Sequence, residues 1–157
     1  MSPMVWTAAE LAHRHIMYLT EAQLREIAKL GHEYSDTEYP LDAVNKQSTL
    51  LPLLHDKPQI RQSLQIGPAL AVLRGLDPDA FSMRQNFIIF AGLSSHVGLR
   101  RATQSGGKVV GKVRPNRGLT HDSLCDYSMM RCDNVMPVHT DPAADVVAMY
   151  VLEPAAT

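Results

Sequence analysis

The residues best suited to chemistry are His139 and Asp141, two positions apart in the stretch VMPVHTDPAADVVAMYVLEPAAT. In a strand, residues i and i+2 share a face, so the two would project together with Cα atoms about 6.6 Å apart, two strand rises. That spacing lets an imidazole and a carboxylate converge on one metal ion. Two histidines and one carboxylate on a single face of the metal suit Fe(II) and leave other positions open for a cosubstrate and O₂. Thr140, between them, would point to the opposite face. Pro142 ends pairing directly afterwards and leaves the pair at a strand end, where a site can open. The pattern is short, and an H-x-D in a loop, with its Asp capping a turn before Pro142, has the same letters.

Other constellations carry less. His121, Cys125, Cys132 and His139 are zinc-ligand types, but the cysteines stand seven positions apart, and structural zinc sites use C-x₂₋₄-C pairs. Gly106–Gly107 before Lys108 lacks the spacing of a phosphate loop and its Ser or Thr after the Lys, so it reads as a β-turn. His13, His15, His32, His55 and His96 are scattered and read mostly as solvated surface side chains. Arg100 and Arg101 follow Gly98, where cations suit the end of a preceding helix. Met129–Met130 reads as packing.

The elements that must position His139 and Asp141 belong to a chain of 157 residues, the size of one domain, taken as 1–157. Its composition, 45% hydrophobic and 20% charged, allows a core without staples. A net charge of -1 gives no footprint for nucleic acid or an anionic membrane surface. Trp6, Glu10, His13, Arg14 and His15 interrupt the apolar positions at the start, so no signal peptide is read there. No apolar stretch approaches the roughly 20 residues that span a bilayer. A cytoplasmic setting with Cys125 and Cys132 as free thiols is the expectation.

The first third reads helical. Thr7 with Glu10, and Thr20 with Gln23, have capping-box spacing. Ala22, Leu24, Ile27, Ala28 and Leu30 fall largely on one helical face, and Gly31 reads as the stop. Positions 35–40 are turn-like, and a helical stretch is expected around Ala43–Leu54. Gly67–Gly75 reads as a short buried strand. Asp77 as N-cap and Pro78 at the first position open a helix carrying Phe81, Phe87, Ile88, Ala91 and Leu93, which ends before Gly98. Strands are expected around Val109, Val110 and Val113, and over DVVAMYVLEP, the latter buried and stopped by Pro154. Helices followed by strands predict an α+β fold.

Taken in order, several segments resemble the taurine catabolism dioxygenase (TauD/TfdA-type) family. WTAAEL and YLTEAQLREI resemble its opening helices, and GPALAVLRGLDPDAFS its first strand and RGL turn. GLSSHVGLRRATQSGGKVVGKVRPN resembles the helix end and first sheet strands, and VHTDPAADVVAMYVLEPAAT the metal-binding segment. The resemblance implies N-terminal helices on the first part of a double-stranded β-helix, a jelly roll. It implies that His139 and Asp141 are the first His and the carboxylate of an iron triad. It further implies Fe(II) as cofactor, 2-oxoglutarate and O₂ as cosubstrates, and hydroxylation of a small-molecule substrate with release of succinate and CO₂.

In that family a Gly-Gly segment, the distal His and an Arg that pairs with the 2-oxoglutarate carboxylate lie beyond the position of Thr157. The resemblance thus covers an N-terminal half, apparently truncated. The expectation is weak iron binding and a cosubstrate without its Arg anchor. The alternative is a non-catalytic relative, inert or needing a partner half. A jelly roll cut midway would expose strand edges, DVVAMYVL among them, and would self-associate through them.

Overall fold

The computed structural model describes residues 4–11, 15–34, 40–45, 48, 51–52, 58–98, 100–102, 110–111 and 144–153. The chain divides into two compact units, Met1–Arg101 with Ala148–Thr157, and Ala102–Val147. Every element below lies in the first unit.

The capping boxes form as their spacing requires. Ahead of α1 (Ala8–Leu11), the Thr7 amide donates to Glu10 Oε2 at 2.7 Å and the Glu10 amide returns to Thr7 Oγ1 at 3.4 Å. The Thr7 amide, and secondarily its hydroxyl, hold the Glu10 carboxyl below the usual carboxylate range. Strand β1 (Ile16–Tyr18) leads into α2 (Glu21–Glu33), capped by the reciprocal Thr20–Gln23 pair at 2.9 and 3.4 Å. After α3 (Pro58–Gln65) comes β2 (Val72–Arg74), parallel to β1 with Ile16 opposite Val72 and Tyr18 opposite Arg74. Parallel strands need a long crossover, and α2 and α3 lie within it. Helix α4 (Met83–Val97) completes the unit and ends, as its sequence predicts, before Gly98.

The core is the contact of α2 with α4. Ile27 and Leu30 meet Ile88 and Ile89, and Leu51 closes the cluster; all five are buried. Leu19, Tyr34, Leu41, Leu76, Phe81 and Leu93 pack around them. The guanidinium of Arg101 donates to the Leu41 and Val44 carbonyls and ties the end of the unit to this core.

Several expectations are corrected. Gly31 does not stop α2, which continues to Glu33 with Gly31 buried inside it. A Cβ there would lie 3.0 Å from Ile89 Cδ1, so the missing side chain serves close helix packing rather than a left-handed cap. Asp77 caps only the 3₁₀ turn Pro78–Ala80, its Oδ1 accepting from the Asp79 amide at 3.0 Å. The longer helix starts at Ser82, where a full Ser82–Gln85 box satisfies two end amides instead of one. The expected strand over 67–75 shrinks to three residues. Gly67 follows α3 so tightly that a Cβ would meet the Ser63 carbonyl at 2.8 Å, and Ala69 sits at φ 59°. Of the helix expected around Ala43–Leu54, Ala43 lies in a turn and Pro52 is helical, while positions 46–47, 49–50 and 53–54 lie outside the described residues. Strand β1 was not anticipated. DVVAMYVLEP, read as a buried strand, forms no strand over its described residues, and Val146, Val147, Met149 and Val151 are exposed. Most of the expected strand around Val109–Val113 falls outside the described residues, and Val110 and Gly111 carry no strand.

The Gly31 contact sets a test by urea unfolding. Gly31→Leu is expected to destabilise the protein by about 1–3 kcal/mol, the range for overpacking a filled core. Gly31→Ala is expected to stay within about 1 kcal/mol of the parent, because Ala's helix preference over Gly offsets the tight approach. Equal stability of all three proteins would contradict the close packing of α2 on α4.

Candidate functional site

His139 and Asp141 lie outside the described residues, as do His121, Cys125, Cys132, Gly106–Gly107 and Met129–Met130. The chain returns at Ala144, three residues after Asp141, and is described from there to Glu153. The geometry in hand is therefore that of the segment directly downstream of the pair and of the helix that receives it.

That helix is α4, and the receiving group is Asn86. Asn86 is 4% exposed, near the start of the helix. Its Nδ2 donates to the Pro78 carbonyl at 2.9 Å and to the Phe81 carbonyl at 3.2 Å. Both amide protons are thereby used, and the two bonds fix which way Oδ1 points. Oδ1 accepts from the Tyr150 hydroxyl at 2.9 Å. The Tyr150 ring lies nearly parallel to that of Phe90, with centroids 6.0 Å apart and 14° between planes. One turn of α4 thus offers a polar and an aromatic contact to the same side chain, since positions 86 and 90 are i and i+4 neighbours.

Tyr150 is set apart from its neighbours. Met149 is 79% exposed and Val151 64%, while Tyr150 and Leu152 are half-buried. This alternation is the period of an extended chain with one face on the unit and one outward. Burial, with a smaller contribution from the charge of Asp77, pushes the Tyr150 phenol up to about 12. The phenol therefore stays protonated, and able to donate to Asn86, throughout the neutral range.

Beside this node, Gln85 Oε1 accepts from the Ser82 amide at 2.7 Å and its Nε2 lies 3.0 Å from His32 Nδ1, a polar link between α4 and α2. His15 and His96 are half-buried rather than solvated. Arg101 is occupied by backbone carbonyls, which makes it a structural clamp. An open depression of about 430 Å³ is lined by Met17, Gln59, Gln62, Ser63, Ile66 and Gly67. Ser63 Oγ is already committed to the Leu70 carbonyl at 2.9 Å, and among the described residues no ionisable side chain lines the wall. Among the described residues no three His, Cys, Asp or Glu side chains come together as a metal site, and no helix is long and apolar enough to cross a membrane. The donor set His139 plus Asp141 fits two ligand places of an Fe(II) site by its chemistry, one imidazole and one carboxylate. Sequence reasoning missed Asn86 and Tyr150. The available signal was a Gln-Asn pair just ahead of the apolar run Phe87–Ala91, where buried amides require partners.

A phenol raised from its usual 10 to about 12 stabilises the fold fully below pH 10, and that contribution is lost as pH climbs through 12. Stability of the wild type, followed by circular dichroism, is expected to fall between these values, and Tyr150→Phe to remove part of that fall. Superimposable pH profiles of the two proteins would contradict the buried donor role.

No family model matches the chain. Over 97% of its length it is 25% identical to a taurine hydroxylase-like protein from the fungus Stachybotrys chartarum. The chain spans 41% of the length of that curated relative. The likeness is to an oxygenase-type protein, and it is distant.

Proposed function

We propose that the chain contributes to an Fe(II)- and 2-oxoglutarate-dependent dioxygenase domain, with His139 and Asp141 as two of its iron ligands. The observation that carries this reading is the likeness to a taurine hydroxylase-like protein along nearly the whole chain, in a sequence that contains an H-x-D. The fold under this reading is a double-stranded β-helix with flanking helices, to which α2 and α4 belong. Bound Fe(II) would supply O₂ activation, so that a small substrate gains a hydroxyl while 2-oxoglutarate, with the second oxygen atom, becomes succinate and CO₂. The chain's part is to hold the metal. His139 must present a neutral ring nitrogen and Asp141 an ionised carboxylate, so metal affinity falls in acid as protons compete for both.

A second reading is supported by the outward apolar face of Val147, Met149 and Val151. It takes the chain as a non-catalytic relative that self-associates through this extended segment.

Anaerobic addition of Fe(II) and then 2-oxoglutarate separates the two readings. The first predicts a weak visible charge-transfer band that His139→Ala and Asp141→Asn abolish. The second predicts no band and association that grows with concentration in sedimentation. A band unchanged in both variants would contradict the first reading, and a monodisperse monomer with a cooperative melt would contradict the second.

A further inference from the structure

Deepening the self-association reading, on which it rests, we propose that the Asn86–Phe90 surface of α4 is a docking site for segment 148–152 of a second copy of this chain. In the monomer the chain's own Tyr150 fills that site. The first unit is discontinuous in sequence: it combines Met1–Arg101 with Ala148–Thr157, and Ala102–Val147 forms the other unit. Tyr150 therefore reaches Asn86 and Phe90 from a separate stretch of chain. Among the described residues, 144–153 joins no sheet and makes no backbone hydrogen bond. Its one hydrogen bond is that of the Tyr150 phenol to Asn86 Oδ1 at 2.9 Å, and its one ring contact is the stack on Phe90.

The receiving surface is built without that segment. Asn86 is buried, and its amide donates to the Pro78 and Phe81 carbonyls, so Oδ1 keeps its direction when Tyr150 leaves and then lacks a donor. A second copy's Tyr150 supplies the same bond and the same stack. Monomer and exchanged dimer thus share their contacts, which is the condition for swapping an identical element between copies. A segment with no backbone ladder to break releases at lower cost than a strand within a sheet. The exposed Met149 and Val151 side chains give the dimer apolar area to bury that the monomer leaves in water.

The test uses the full 157-residue chain in sedimentation velocity over a concentration series. The wild type is expected to form a dimer that grows with concentration. Tyr150→Leu, which removes donor and ring together, and Phe90→Leu, which alters the receiving side, are each expected to abolish it. An equimolar mixture of these two variants is expected to restore a dimer, because the Tyr150 of one copy meets the intact Phe90 of the other. Tyr150→Phe keeps the stack, so it is expected to leave the dimer fraction nearly unchanged and to speed its interconversion with monomer about tenfold, the order expected for one hydrogen bond. Dimerisation of Tyr150→Leu as strong as that of the wild type, or a mixture that stays monomeric, would overturn the exchange and leave association through the outward apolar face standing. A wild type that stays monomeric at every concentration would overturn the self-association reading, and this inference with it.

Discussion

The close approach of α2 and α4 is the constraint on which the described structure depends. Gly31 lets Ile89 lie against the backbone of α2, and Ile27, Leu30, Ile88 and Ile89 lose their contact with water together. Burial of four such side chains is worth several kcal/mol by the usual area scale, before the cost of ordering them. The parallel pair β1–β2 is only three residues long and would be marginal alone. It stands because α2 follows β1 almost directly and α4 follows β2 through a capped turn.

The same helix pair creates the polar node. Once α4 is fixed, Asn86 donates back to the carbonyls of Pro78, which also accepts from the Phe81 amide, and of Phe81 itself. Its own oxygen then needs a donor in turn, since a buried polar group without a partner is costly. Tyr150 meets that need from far along the chain. A buried amide near the start of one helix thereby gives Tyr150, sixty-four residues away, a fixed partner.

Two helix starts were legible because each is encoded within four residues. The Thr7–Glu10 and Thr20–Gln23 boxes form as read; of the expected apolar face of α2, Ile27 and Leu30 are buried and Ala22 is exposed, while Gln23 and Gly31 join the buried side. Asp77 misled because two N-cap signals lie five positions apart and only geometry decides that the second, at Ser82, opens the longer helix. Gly31 misled because a glycine that ends a helix and one that admits a neighbour look alike until the neighbour, Ile89, is known. The segment at 146–151 has the composition of a buried strand, yet burial depends on a partner surface, and four of its large apolar side chains, Val146, Val147, Met149 and Val151, are exposed. The Asn86–Tyr150 bond joins residues too distant in sequence for any local pattern to pair. His139 and Asp141 were legible as a motif and through family likeness, and they lie outside the described residues.

The central claim is that His139 and Asp141 bind iron. It is tested most directly by X-ray absorption at the iron edge of the anaerobic Fe(II)-loaded chain. The account predicts a first shell of nitrogen and oxygen, with imidazole scattering that disappears in His139→Ala. Imidazole scattering that persists in that variant, or a spectrum of hydrated Fe(II) alone in the wild type, would contradict it.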